Sequence, residues 1–139
     1  MAKTAGGIRG QTRPSSSTGR KREGYIKAMQ PLLKKNVTRY VGSDRHIKIK
    51  FNRKGIEHIA DDILNKKLGI AQKELPRLDG LLRGAIYERS SGLYKDRKDG
   101  ITKFYYFKDK NKNLRYDVAE RIHKGSVYRF LYSISKITK

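Results

Sequence analysis

The sequence predicts an α+β domain over residues 44–139. Two helices pack on a mostly antiparallel sheet of about four strands, in the order β-α-α-β-β-β. Three observations predict it. Residues His46 to Phe51 alternate polar and apolar side chains with period two. Two following segments repeat apolar residues at helical spacing. Three alternating segments, the first rich in Phe and Tyr, then close the chain, separated by short turn-forming runs.

Each element follows from its residues. In the first strand Ile47, Ile49 and Phe51 point inward. Asn52 caps the first helix, where Ile56, Ile59, Ala60, Ile63 and Leu64 form one stripe and Gly69 marks the end. The second helix has Pro76 near its first turn and a stripe of Leu75, Leu78, Leu81, Leu82, Ala85 and Ile86. Ser90 to Gly100 reads as a polar, basic loop. The remaining strands are Ile101–Lys108, Leu114–Ile122 and Val127–Lys136, a meander with turns at Asp109–Asn113 and His123–Ser126. About 95 residues suffice for one modest core.

Residues 1–43 have a different composition. They hold ten basic residues and one acid, Glu23. Gly6-Gly7 and Pro14-Ser15-Ser16-Ser17-Thr18-Gly19 are linker chemistry, with little apolar surface to offset chain entropy. The reading is a basic, largely disordered arm or linker over 1–43, with a short helix around Ile26, Met29, Leu32 and Leu33. No repeat is visible.

Charge narrows the function. The 139 residues carry 34 Lys and Arg against 13 Asp and Glu, a net +21. That excess lies far beyond the magnitude of ~2–8 that keeps a small domain soluble, and it points to a polyanion, with an acidic protein second. The absence of cysteine excludes disulfides and thiolate chemistry. No apolar run reaches the ~18 residues of a membrane span, and the N-terminal residues lack a secretory signal's apolar core. No Gly-rich nucleotide loop and no His-x-x-x-His occur, so neither a cofactor nor a metal is expected.

Strict alternation sorts the strand side chains. In the last strand it places Tyr128, Phe130, Tyr132 and Ile134 on one face, and Arg129, Leu131, Ser133 and Ser135 on the other. In the middle strand Arg115, Asp117, Arg121 and His123 form the polar set. In the strand from Ile101, Lys103, Tyr105 and Phe107 share a face. A sheet face mixing cations, hydroxyls and rings suits a phosphodiester, though a solvated sheet face is polar too. The helical wheel turns His58 away from the Ile56-Ile59-Ile63 stripe. Either its helix lies at the rim of a cleft, or His46 or His123 serves as the working imidazole.

The segment Phe51-Asn52-Arg53-Lys54-Gly55-Ile56-Glu57-His58-Ile59 resembles the strand and Lys-Gly-x-x-His helix that open a group of nuclease domains. These are the barnase–EndoU–colicin–RelE-like domains of phage and polymorphic-toxin proteins, of the type found in large polyvalent proteins. Leu75-Pro76-x-Leu78, Phe104-Tyr105-Tyr106-Phe107, Tyr116-Asp117-Val118-Ala119-Glu120 and Tyr128-x-Phe130-Leu131-Tyr132-Ser133-Ile134 follow in similar order, covering about residues 44–137.

The resemblance implies a toxin-type, metal-independent endoribonuclease that cleaves RNA, tRNA among the candidates, by attack of a 2′-hydroxyl. His58 and a last-strand serine, Ser133 or Ser135, come from that resemblance, the serine to bind phosphate. An imidazole, with an unperturbed pKa of ~6.5, suits acid–base work. From the strand faces, Arg121 and Lys103 are candidates for charge stabilisation and Tyr105 for stacking or proton donation. Arg129, Ser135, Arg115, Lys48 and Lys50 are candidates for RNA binding. The resemblance further implies an acidic immunity protein as partner, a monomeric free state, and delivery into the cytoplasm of a target bacterium. Two other readings stand beside it: a non-catalytic RNA- or DNA-binding module, and a structural domain of a phage or conjugation particle.

Overall fold

A computed structural model describes residues 16–42 and 45–137, with side chains from Gly19 onward. The linker-like stretch over residues 1–15 lies outside the described residues. In chain order the elements are α1 (Ser16–Met29), a 3-10 turn (Gln30–Lys34), β1 (Asn36–Tyr40), β2 (His46–Lys50) and α2 (Arg53–Lys66). A second 3-10 turn (Gln72–Arg77), α3 (Leu78–Gly84), β3 (Ile86–Ser90), β4 (Ile101–Asp109), β5 (Leu114–His123) and β6 (Ser126–Lys136) follow. All six strands form one sheet in the order β1-β2-β6-β5-β4-β3. Every neighbouring pair is antiparallel except β2 and β6, which meet in parallel at Lys50 and Phe130.

The α+β class and the β4-β5-β6 meander match the sequence expectation. The strand count does not, because six strands stand where about four were expected, and two of them come from segments read otherwise. β1 lies in the expected arm, and pairs Val37 with Ile49 in register. Met29, Leu32, Val37 and Val41 are all buried in the core, so residues 16–42 are part of the fold rather than an arm. β3 takes Ile86 away from the expected helical stripe. The chain turns extended at Ala85 (φ −77°, ψ 158°) after only seven helical residues.

The helices bury one face of the sheet. Ile47 and Ile49, Tyr105 and Phe107, Leu114, Tyr116 and Val118, and Leu131 and Ile134 meet Ile56, Ile59, Ala60 and Ile63 of α2 and Leu75, Leu78 and Leu82. Arg22 clasps Asp61 at 2.7 Å and fastens α1 to α2. Asn52 caps α2 as expected, its Oδ1 accepting the Gly55 N–H at 2.8 Å. The helix ends at Lys66 rather than Gly69, with Lys67 itself in the left-handed region (φ 49°).

The placement of α2 decides the rest. β2 stops at Lys50, so among the described residues no strand lies beside the outer edge of β6 beyond Phe130. Exposed edge groups seek partners, and α2 supplies them. Asp62 Oδ2 accepts the Ile134 N–H at 3.0 Å, and Lys66 donates to the Ile134 carbonyl at 3.5 Å. The helix can lie this close because residue 55 is glycine. A Cβ there would overlap the Leu131 carbonyl oxygen.

The Gly55→Ala variant should therefore lose about 1–3 kcal/mol of stability through overpacking against a backbone atom. Gly80→Ala in α3, where a Cβ meets nothing within 4 Å, should shift stability by less than ~1 kcal/mol. Urea unfolding of both, read as the midpoint at constant slope, checks this. Equal midpoints would contradict the close approach.

Candidate nucleic-acid interface

Among the described residues no helix covers the second face of the sheet, yet that face is not simply polar. Alternation brings Phe104 and Tyr106 from β4 and Ala119 from β5 to this side, with Phe130 and Tyr132 from β6. Ile101, Phe104, Ala119 and Phe130 are buried there, and Tyr106 and Tyr132 pack against them. The rings form a connected set: Phe104 stacks on Tyr106 at 6.2 Å between centroids, and Tyr132 touches Phe104 at 5.6 Å and Phe130 at 6.1 Å.

A bulge in β6 corrects the expected face assignment. Val118 pairs with Leu131 and Asp117 with Ser133, which leaves Tyr132 as the extra residue. Tyr132 and Ser133 consequently share the open face, Ser135 follows them, and Ile134 turns into the core. Strict alternation had placed Ser133 with Leu131, and Tyr132 with Ile134.

Arginines lie on the rings. Arg89 and Arg115 stand 4.5 Å and 4.8 Å from the Tyr106 centroid. The 91–100 loop folds back onto the same face. Tyr94 donates its N–H to the Thr102 carbonyl, and its ring meets Phe104 edge-on at 5.9 Å. Arg97 covers both Tyr94 and Phe104, at 5.3 Å and 5.1 Å. Such guanidinium–ring pairs are attractive and expose cations beside π-faces.

His58 stands at the edge of this surface. Its ring lies 4.3 Å from that of Tyr132, inclined by 32°. Nδ1 is buried 3.3 Å from Asp62 Oδ2, out of line for a hydrogen bond. The ring as a whole is 38% exposed, so its exposure lies on the edge away from Nδ1. The helical-wheel question is answered by geometry: α2 runs along the edge of β6, one flank against the core and the other against the open face. His58 is on the second flank.

Electrostatics hold the arrangement. Arg115 reaches Asp117 through Nε at 2.8 Å and Nη2 at 3.2 Å, which raises the guanidinium pKa further. Ser133 donates to the same Asp117 at 3.0 Å, so its proton is committed. Arg97 grips Asp99 with two bonds and holds that carboxyl down at about 2. Burial raises the Tyr106 phenol, with Tyr94 and Asp117 adding to the effect, and keeps the ring neutral.

The structure divides the sequence-derived candidates. His58, Ser133, Ser135 and Arg115 gather on the open face. Arg121 lies farther along it. Lys48 and Lys50 alternate with the buried Ile47 and Ile49, and Lys50 is aligned with Phe130, so they flank the same side. Lys103, Tyr105 and Arg129 face the other way, at the end of the helix-covered side. There the buried Tyr105 donates to Glu120 at 2.8 Å, Arg129 donates to Glu120 at 2.9 Å, and Arg45 reaches the Tyr105 oxygen at 3.2 Å. Burial first, then Glu120, raises the Tyr105 phenol. Lys103 sits 5.2 Å from that ring. Of the other imidazoles, His46 packs edge-on to Tyr40 at 5.6 Å, and His123 lines a hollow with Arg121.

Sequence reading missed Arg89, Tyr94, Arg97 and Asp62. The His58–Asp62 spacing of four was a usable signal, since it puts both on one helix flank; the loop residues gave none. Among the described residues no three His, Cys, Asp or Glu gather as a metal site, and no helix is long and apolar enough to cross a membrane. Comparison with protein-family models, curated proteins and solved structures finds no match to this chain.

The Arg97–Asp99 pair gives a pH signature. Because the folded Asp99 pKa is depressed from 3.8 to about 2, its stabilisation is complete above pH 3.8 and is lost as pH falls through about 2. Screening at this partly exposed site limits it to about 1–2 kcal/mol. Hydrogen exchange of the 91–100 amides should speed up in that window, and Asp99→Asn should remove the pH response. Unchanged protection in the native protein down to pH 2 would contradict the pairing.

Proposed function

We propose that the open face binds single-stranded RNA and that His58 acts on it as an acid–base group, making the protein a metal-independent endoribonuclease. The observation that carries this reading is the His58 ring held against Tyr132, its Nδ1 edge turned to a buried carboxylate and its other edge exposed at the rim of an aromatic, arginine-covered surface. Bases stack on rings of any sequence, and arginines meet the phosphates between them. Packing on Tyr132 on one side and Asp62 beside Nδ1 on the other place the ring at the rim with its far edge toward the open surface.

The chemistry then needs few parts. The exposed nitrogen of His58 takes the proton from a ribose 2′-hydroxyl, and that oxygen attacks the adjacent phosphorus. The bond to the 5′-oxygen breaks, the leaving oxygen takes a proton from solvent, and a 2′,3′-cyclic phosphate remains. Arginines on the face offset the extra negative charge. Ser133, for which the resemblance implied phosphate binding, instead donates its hydroxyl hydrogen to Asp117 and so orients the carboxylate that holds Arg115. An acidic protein covering this face would be the corresponding inhibitor, drawn by opposite fields. A specific observation favours a second reading, a binding module without catalysis: Asp117 occupies both Ser133 and Arg115, which leaves one imidazole as the acid–base group on the central face.

Incubation with tRNA and with unstructured RNA in EDTA should yield cyclic-phosphate ends. His58→Gln should lower the rate by about 10²-fold or more while RNA affinity changes little. Arg89→Gln should weaken binding similarly for all sequences and reduce the salt slope by about one. Intact RNA with tight, salt-sensitive binding would leave the binding module standing. Salt-independent affinity would end both readings.

A further inference from the structure

The open face continues past Phe130 into a hollow of about 320 Å³, lined by Asn52, Arg121, His123, Tyr128 and Phe130. Two other hollows differ from it. One of about 410 Å³, lined by Lys73, Glu74, Arg77 and Leu81, has no ring. One of about 290 Å³ at the opposite end of β5 holds Arg89, Lys108, Arg115 and Lys136 around Glu88, with no ring either.

We infer that the Arg121–Tyr128 hollow is a subsite for one nucleotide unit, its base against Tyr128 and its phosphate on Arg121. This rests on the reading that RNA crosses the open face. Tyr128 is 46% exposed, so a ligand ring has access to it, and Phe130 closes the floor. Among the described residues Arg121 has no carboxylate within ion-pair distance, unlike Arg97 and Arg115, so its charge is uncommitted. Gly100, at φ +78°, lies alongside the guanidinium and leaves it room: a Cβ there would only come into ordinary contact, 3.4 Å from Nε. Asn52 spends its oxygen on the α2 cap and keeps its amide hydrogens for a base edge. His123 adds an exposed imidazole at the mouth.

Position ties the hollow to His58. Phe130, its floor, contacts Tyr132, the ring beneath His58. From Arg115 to Arg121 the face runs six residues of β5, or about 20 Å. A strand laid along it passes from the arginine- and lysine-lined hollow, over Tyr106 and Tyr132, to Arg121. The nucleotide in the hollow is thus the neighbour of the one at His58, where selectivity for a base would be exerted.

The test is amide NMR of the full chain titrated separately with uridine 5′-monophosphate, inorganic phosphate and an unstructured RNA octamer. The mononucleotide should shift Arg121, His123 and Tyr128 saturably, and phosphate should do so more weakly. Tyr128→Ala and Arg121→Gln should each weaken mononucleotide binding about tenfold with the spectrum otherwise folded. Equal shifts from phosphate and mononucleotide would overturn the nucleotide assignment in favour of a bare anion site. If the octamer shifts Tyr106 and Tyr132 but neither ligand reaches Arg121, the subsite falls and the RNA face stands. If the mononucleotide fills the hollow while the octamer leaves Tyr106 and Tyr132 unmoved, the subsite stands and the RNA face falls.

Discussion

The arrangement depends on one carboxylate. Asp62 is buried on α2 and accepts the backbone N–H of Ile134 at the point where β6 has run out of neighbouring strand. Leaving such a donor unpaired costs about 1–3 kcal/mol. Meeting it from a helix draws α2 flush against the sheet edge, which only Gly55 allows. The same approach presents one flank of α2 to the core and the other to the open face. His58 stands on Tyr132 for that reason. Edge closure and placement of the imidazole are therefore one structural event.

Charge and rings on the open face also have a common cause. A sheet face without a helix must still keep its strands' large residues from water. Here the solution is a second, thin apolar cluster of Phe104, Phe130, Ala119 and Ile101, roofed by tyrosines and by arginines lying flat. The acids of the folded region are largely taken up in pairs such as Asp117 with Arg115, Asp99 with Arg97 and Glu120 with Arg129. Among the described residues the cationic excess is accordingly left to lysines and arginines outside these pairs, such as Arg89 and Arg121. Neutral, ring-bearing ground between cations is the property that single-stranded nucleic acid uses.

Much of the fold was legible because it is local. The alternation of β2, the Asn52 cap, the apolar stripe of α2 and the aromatic meander each arise within a dozen residues. What escaped is non-local or short. β1 buries only Val37 within its five residues and sits in a stretch whose charge resembles a linker. β3 continues an apolar spacing that suits α3, and only the extended turn at Ala85 ends the helix. The parallel contact of β2 with β6 joins residues eighty apart at a single pair. For the site, Arg115 could be read from strand alternation, whereas His58 came from the family resemblance and the helical wheel alone left its direction open. Tyr132 could not be placed, since one bulge shifts every side chain after it. Lys103, Tyr105 and Arg129 have residue types suited to the chemistry but emerge on the helix-covered side.

Photo-crosslinking of a short unstructured RNA to the full chain, mapped by mass spectrometry, tests the central claim most directly. The account predicts crosslinks at Tyr94, Phe104, Tyr106 and Tyr132, the rings of the open face around His58. Crosslinks confined to Tyr25, Tyr40 and Tyr87, away from that surface, would contradict it.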